Sequence, residues 1–178
     1  MRVLGVDPGS RAAGWAVVSF AGPPRLVAAG VLRPATAVPF AERLRALHDG
    51  LLAVVERERP DEAAVERVFA GVNPQSLITL GEARGVLLLA LARAGVPVAE
   101  VTPAEIKKTV TGTGQAGKDQ VRRMVLSLLS LPGGGPRLAL DAADAAAAAL
   151  THGFRTAATR RAAAPGRDGP AVRPRVAG

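Results

Sequence analysis

The chain has 178 residues, 48% of them apolar and 3% aromatic, with a net charge of +8. That is enough for one domain with its own core, and the basic balance favours polyanionic partners such as nucleic acid. There is no cysteine and there are two histidines, which excludes disulfides, thiolate zinc sites and cysteine nucleophiles.

No apolar run reaches the roughly 18 residues of a membrane span, and no export signal is visible. The expectation is a soluble, cytoplasmic protein with no membrane partner. In chain order, residues 2–7 form a short apolar run ending in Asp7, followed by the turn Pro8-Gly9-Ser10. Residues 14–20 and 26–32 are two more runs, separated by Gly22-Pro23-Pro24. Links this short predict an antiparallel meander. Phe40, Leu44, Leu47, Leu51 and Val54 then repeat at helical spacing until Pro60.

A strand over 63–68 carries Glu66 near its end. Asn73-Pro74 is a cap followed by a first-turn proline, which predicts a helix from Pro74 to about Arg93. Residues 96–101 read as another strand, and Thr102-Pro103-Ala104-Glu105 has the pattern of a capping box. After the glycine-rich segment 111–117 come a helix over 119–131, a loop over 132–136, and an alanine-rich helix from Asp141 to near Gly153. This order predicts one α/β domain over 1–153 with a mixed sheet, then a basic, disordered tail over 154–178. Residues 155–178 hold six arginines against Asp168 alone, a net of +5. The tail reads equally as a nucleic-acid contact or a solvated end.

Asp141 and Asp144 are three apart on a helix and share one face. If the strand ends point the same way, Asp7, Glu66, Asp141 and Asp144 converge as an all-oxygen ligand set. Such a set suits Mg²⁺ or Mn²⁺ and nothing in it favours zinc. Singly, each acid also has a plainer reading: Asp7 as a turn-former, Glu66 as a surface strand residue, Asp141 as a cap and Asp144 as a first-turn acid. Lys107, Lys108, Lys118, Arg122 and Arg123 place five cations around the glycine-rich loop against Asp119. They read as a phosphate-binding surface or as a solvated basic face. The spacing is not a Walker loop, because Asp119 follows the lysine. Phe69, in an apparent loop beside Glu66, reads as a base-stacking group or as a plug at the strand's end. His152 reads as structural, and Trp15 and Phe20 as core.

The run Val3-Leu4-Gly5-Val6-Asp7-Pro8-Gly9-Ser10, then Val65-Glu66-Arg67-Val68-Phe69, resembles the bacterial RuvC Holliday-junction resolvases. Asn73-Pro74-Gln75-Ser76 with Leu80-Gly81-Glu82-Ala83-Arg84-Gly85 extends the likeness. So do Lys107-Lys108-Thr109-Val110-Thr111-Gly112 with Gly114 and Lys118, and Asp141-Ala142-Ala143-Asp144-Ala145 with Thr151-His152. The resemblance implies an RNase H-like fold, with three antiparallel strands and then parallel ones in a sheet flanked by helices. It implies a homodimer that resolves four-way DNA junctions by symmetrical, metal-dependent nicking in recombination and repair. RuvA and RuvB, the branch-migration proteins, are its implied partners.

Residue by residue, Asp7, Glu66, Asp141 and Asp144 match the family's metal-binding acids, with two ions per site implied. Lys107 and Lys118 match basic residues at the cleaved strand, Lys118 within the catalytic set, and Lys108 and Arg122 extend that DNA-binding surface. Phe69 matches a loop aromatic at the junction, and Gly81 and Gly85 lie on the segment used in dimerisation. One departure is Ala12-Ala13 before Gly14, where the family often has threonine. Rival readings are a YqgF-like nuclease of the same fold acting on RNA, and a junction-binding protein without catalysis. An actin-like ATPase is disfavoured, because the chain has no room for the second domain and second phosphate loop that class needs.

Overall fold

A computed structural model describes residues 1–67, 73–131 and 138–163. The expected meander forms from β1 (Arg2–Asp7), β2 (Ala13–Ser19) and β3 (Arg25–Leu32). It is followed by α1 (Phe40–Glu58), β4 (Glu62–Glu66), α2 (Pro74–Arg93) and β5 (Val98–Val101), then α3 (Pro103–Thr111), α4 (Lys118–Leu128) and α5 (Leu140–Ala163). The sheet runs β3-β2-β1-β4-β5, antiparallel across β1, β2 and β3 and parallel across β1, β4 and β5. This is the mixed sheet expected of an RNase H-like fold.

Both faces of the sheet are covered, which is why β1 and β4 are apolar on both sides. Leu4, Val6 and Val65 pack with Leu47 and Leu51 of α1 and Leu87 and Leu91 of α2. On the other face Val3 and Ala64 meet α5, Ile106 of α3 and Val121 of α4. Alternation along a strand then puts Asp7, Glu62 and Glu66 on the α5 side, with Val3, Gly5 and Ala64.

α5 lies very close to the sheet because two strand glycines admit it. A Cβ on Gly5 would stand 1.8 Å from the Ala145 carbonyl oxygen, and one on Gly14 would stand 1.9 Å from that of Asp141. The helix answers with alanine: residues 142, 143 and 145–149 are all alanine and all buried. A larger residue on either side would push the helix, and the acids it carries, off the strands.

The cap signals set their helices as expected. Asn73 accepts from the Gln75 N–H ahead of α2, and Thr102 and Glu105 form the reciprocal capping box of α3. Two expectations need correction. The last helix does not stop near Gly153 but continues to Ala163, so residues 154–163 belong to the folded body. There the Phe154 ring meets Phe20 edge-on at 5.9 Å, Arg155 pairs with Glu105 at 3.2 Å and Arg160 with Glu62 at 3.2 Å. Gly153 is a packing glycine, its Cβ position filled by the Phe20 ring. The second correction concerns α2, which by length and composition is apolar enough to cross a membrane; Glu82 and Arg84 interrupt the run that the sequence reading counted. Its Ala83, Leu87, Ala90 and Leu91 are buried, while Ile78 and Leu89 stand exposed.

Candidate active site

Three of the four acids face one cavity of about 380 Å³, lined by Asp7, Glu66 and Asp144 together with Lys107, Lys118 and the apolar Ile106, Val121 and Ala147. Asp7 ends β1 and Glu66 ends β4, two parallel neighbours whose carboxyl ends point the same way. Asp144 reaches them from the first turns of α5. Asp141 stands at the edge of this group, pairing with Arg33 of the segment after β3 at 3.5 Å. Its charge is nevertheless felt by Asp7 and Asp144.

The electrostatics are those of acids gathered without enough cations. The Asp7 carboxyl is pushed up to about 7, first by burial, then by Glu66, Asp144 and Asp141, with Lys118 opposing. Burial also raises Glu66, helped by Asp144 and opposed by Lys118. Asp144 is raised by burial, opposed by Lys118, with Asp141 adding to the rise. Desolvation and like charge both penalise the ionised form.

Among the described residues no three acid or histidine side chains stand close enough to hold one ion as they are placed. Their chemistry fits such an ion all the same. The cavity offers carboxylate oxygens and no imidazole or thiolate, which is the donor set of a hard divalent cation. Such a charge would let all the acids ionise together at neutral pH.

Lys118 is the first residue of α4, after Gly117 at the cap. A cation at a helix N-terminus opposes the macrodipole, a local cost that a purely structural helix would avoid. Lys107 comes from α3 and lines the cavity, whereas Lys108, one position on, is exposed and does not. Arg122 is half-buried and donates to the Leu138 carbonyl at 3.4 Å, beside Asp144. Phe69 lies outside the described residues.

His152 is not part of this site. It meets Glu62 at 2.5 Å, at the opposite end of β4. The spacing follows from geometry: eight residues along α5 span about 12 Å, and four along β4 about 13 Å. Asp144 therefore meets Glu66 where His152 meets Glu62. Trp15 is buried as expected, under Arg57 at 5.4 Å from the ring centre.

Several residues went unread in the sequence. Arg33 bonds an acid 108 positions away, which local pattern does not reveal. Gly5 and Gly14 did leave a signal: glycines inside strands mark a close approach of backbone, and the alanine run supplies its other half.

Comparison with known proteins bears on the family and the fold. The family model described as Crossover junction endodeoxyribonuclease RuvC matches residues 3–152. A curated relative of that name from Azorhizobium caulinodans is 50% identical over 167 residues, 92% of this chain and 96% of the relative. The structure of Thermus thermophilus RuvC in complex with Holliday junction substrate superposes with a TM-score of 0.82 at 36% identity, covering 89% of this chain and 96% of that one. The yeast mitochondrial Holliday junction resolvase Ydc2 shares the fold, with a TM-score of 0.59 at 13% identity over 89% of this chain and 83% of its own.

Proposed function

The chain belongs to the RuvC family of crossover junction endodeoxyribonucleases, and from that premise we propose that it nicks two strands of a four-way DNA junction symmetrically, with Asp7, Glu66, Asp141 and Asp144 holding divalent cations. The observation that carries this reading is the shared cavity of Asp7, Glu66 and Asp144, its acids raised by burial and mutual charge and faced by Lys107 and Lys118. Two ions per site, Mg²⁺ or Mn²⁺, would supply the charge that activates water and stabilises the leaving 3′ oxygen.

The chain's own groups do the rest. The carboxylates fix where positive charge sits relative to the strand. Lys118 stands against Glu66 and Asp144 and would neutralise charge that grows on the phosphate in the transition state. Lys107 lines the same cavity and would hold the strand across its mouth, with Lys108, Arg122 and Phe69 as further DNA contacts. The apolar side chains of Ile106 and Val121 line the same cavity and lower the local dielectric, which strengthens each charge interaction.

Two-fold matching to a junction calls for two sites, and α2 offers the pairing surface. Its outer face carries exposed Ile78 and Leu89, and a Cβ added at Gly81 or Gly85 would meet no atom of the described residues within 4 Å. Glycine in a helix interior costs about 1 kcal/mol relative to alanine, and close approach of a second backbone accounts for that cost. Gly85→Leu is therefore expected to shift the protein from dimer to monomer by sedimentation at micromolar concentration. A dimer unchanged by that substitution removes α2 from the interface. Cytoplasmic action beside RuvA and RuvB rests on the family resemblance alone.

The deciding experiment incubates the protein with a synthetic four-way junction, a linear duplex and single strands, with and without Mg²⁺ or Mn²⁺. Paired symmetrical nicks confined to the junction and to the metal-containing reactions are expected. Equal cutting of the duplex, or cutting without metal, would overturn the reading.

A further inference from the structure

The carbonyl of Glu66 has an unusual partner. Ala63 and Arg67 donate their N–H groups to Pro97 and Val101 on the β5 side, so alternation along the strand turns the N–H and C=O of Glu66 toward β1. In the β1–β4 register the residue that would donate to this carbonyl is Pro8, one past Asp7. Proline has no N–H, so the ladder ends there with an acceptor unmet. Arg84 of α2 fills the place from the other face of the sheet, its Nε donating to the Glu66 carbonyl at 3.3 Å. Its Nη2 donates to Glu100 Oε2 at 2.5 Å, and Arg67 Nε donates to that same oxygen at 3.1 Å. The Arg84 side chain is only 19% exposed, so its bond to the Glu66 carbonyl is partly shielded from competing water.

We propose that Arg84 is a positioning residue for the nuclease site, fixing Glu66 through its backbone carbonyl so that the acid's placement depends on α2. The proline that ends the ladder lies within the Asp7-Pro8-Gly9 turn that presents the first acid. One turn thus presents Asp7 to the cavity and leaves the neighbouring strand end to be held by a side chain. Glu100 anchors the guanidinium and, through Arg67, the residue that follows Glu66. Beyond the strand no other described side chain bonds the Glu66 backbone. The inference rests on Glu66 as a metal-holding acid, and its test includes an arm that needs no DNA.

Arg84→Gln, Arg84→Lys and Glu100→Gln are compared with the wild type in two assays: nicking of a synthetic four-way junction at saturating DNA, and Mn²⁺ titration into the DNA-free protein. Arg84→Gln is expected to lower the nicking rate about ten- to a hundredfold, the order associated with a misplacement of about 1 Å. Its Mn²⁺ affinity should fall in parallel, by about tenfold, while junction affinity stays within about twofold of the wild type. Arg84→Lys restores part of both losses. Glu100→Gln, a near-isosteric change at a more exposed residue, gives smaller losses in the same two readouts and decides the matter if Arg84→Gln does not fold. Wild-type rate and Mn²⁺ affinity in Arg84→Gln, or in Glu100→Gln where that variant decides, overturn the proposal. Junction affinity falling as far as the rate overturns it too, making Arg84 a DNA contact. A wild type that leaves the junction uncut would sink the nuclease reading instead, and the Mn²⁺ arm would still judge Arg84.

Discussion

Glu62 and Glu66 stand at the two ends of β4, on the same face of the sheet and under the same helix, yet they keep opposite company. Glu62 is met by His152 and Arg160, and its neighbour Asp61 accepts the Arg2 N–H at 2.6 Å. Glu66 faces Asp7 and Asp144, with Lys118 the cation that opposes all three. One end pairs its acids; the other collects them. Pairing satisfies a partly buried carboxylate, whereas crowding desolvates it beside like charge and lowers stability. A fold tolerates the second arrangement where the site has work to do, which is why the two ends should respond oppositely to the same kind of substitution.

The largest contrast is expected from neutralising one acid at each end. Asp7→Asn should reduce junction nicking to background while junction binding persists, because the basic surface is untouched. Glu62→Gln should leave nicking near wild type and lower folding stability by about 1–3 kcal/mol, since the His152 and Arg160 contacts lose their charge partner. Nicking assays and thermal melts on both variants check this. Equal loss of activity in the two would dissolve the distinction between the ends.

Lys118→Ala sharpens the picture at the crowded end. The rate at saturating junction should fall about 10²–10³-fold with affinity changed by only a few-fold, the pattern of a group acting on transition-state charge. An affinity loss as large as the rate loss would make Lys118 a binding residue only.

Gly5→Ala tests what brings α5 to the strands. Its Cβ would collide with the Ala145 carbonyl, so either the helix moves or the strand does. A stability loss of about 1–3 kcal/mol is expected, with a larger fractional loss of nicking than Glu62→Gln causes, because Asp144 rides on the displaced helix. Normal stability and activity in this variant would mean that the contact yields without moving the acids.

Much of this arrangement was legible in the sequence, and the reasons differ from element to element. Local chemistry announced α2 and α3, since Asn73-Pro74 and Thr102-Pro103-Ala104-Glu105 satisfy helix N-termini by themselves. The end of α5 was misread because Gly153, taken as a stop, is required by a contact with Phe20, 133 positions earlier in the chain. The acids were legible as a candidate set from the strand ends and the helix face, each with a plainer reading beside it, and the family pattern singled them out. Spacing alone could place Asp141 and Asp144 on one helical face, but it could not show that Asp141 leans toward Arg33 while Asp144 faces the cavity. The hold of Arg84 on Glu66 was hidden for the same reason. It depends on which way a carbonyl points at the end of a parallel ladder.

The central claim is that the crowded acids await a divalent cation and the paired ones do not, and thermal melts of DNA-free protein between about pH 5 and about pH 8 address it most directly. The folded Asp7 carboxyl titrates at about 7 against an ordinary 3.8, so across the interval between them the folded state retains a proton that the unfolded chain has lost. Stability therefore falls as pH rises from about 4 toward 7. Wild type without metal should melt lower at the top of the range, Asp7→Asn should show a flatter profile, and Mn²⁺ should raise the wild-type and Glu62→Gln melting temperatures most near pH 8, where the acids ionise. Mn²⁺ raising Asp7→Asn as much as the wild type, or identical pH profiles for the two, would contradict the account.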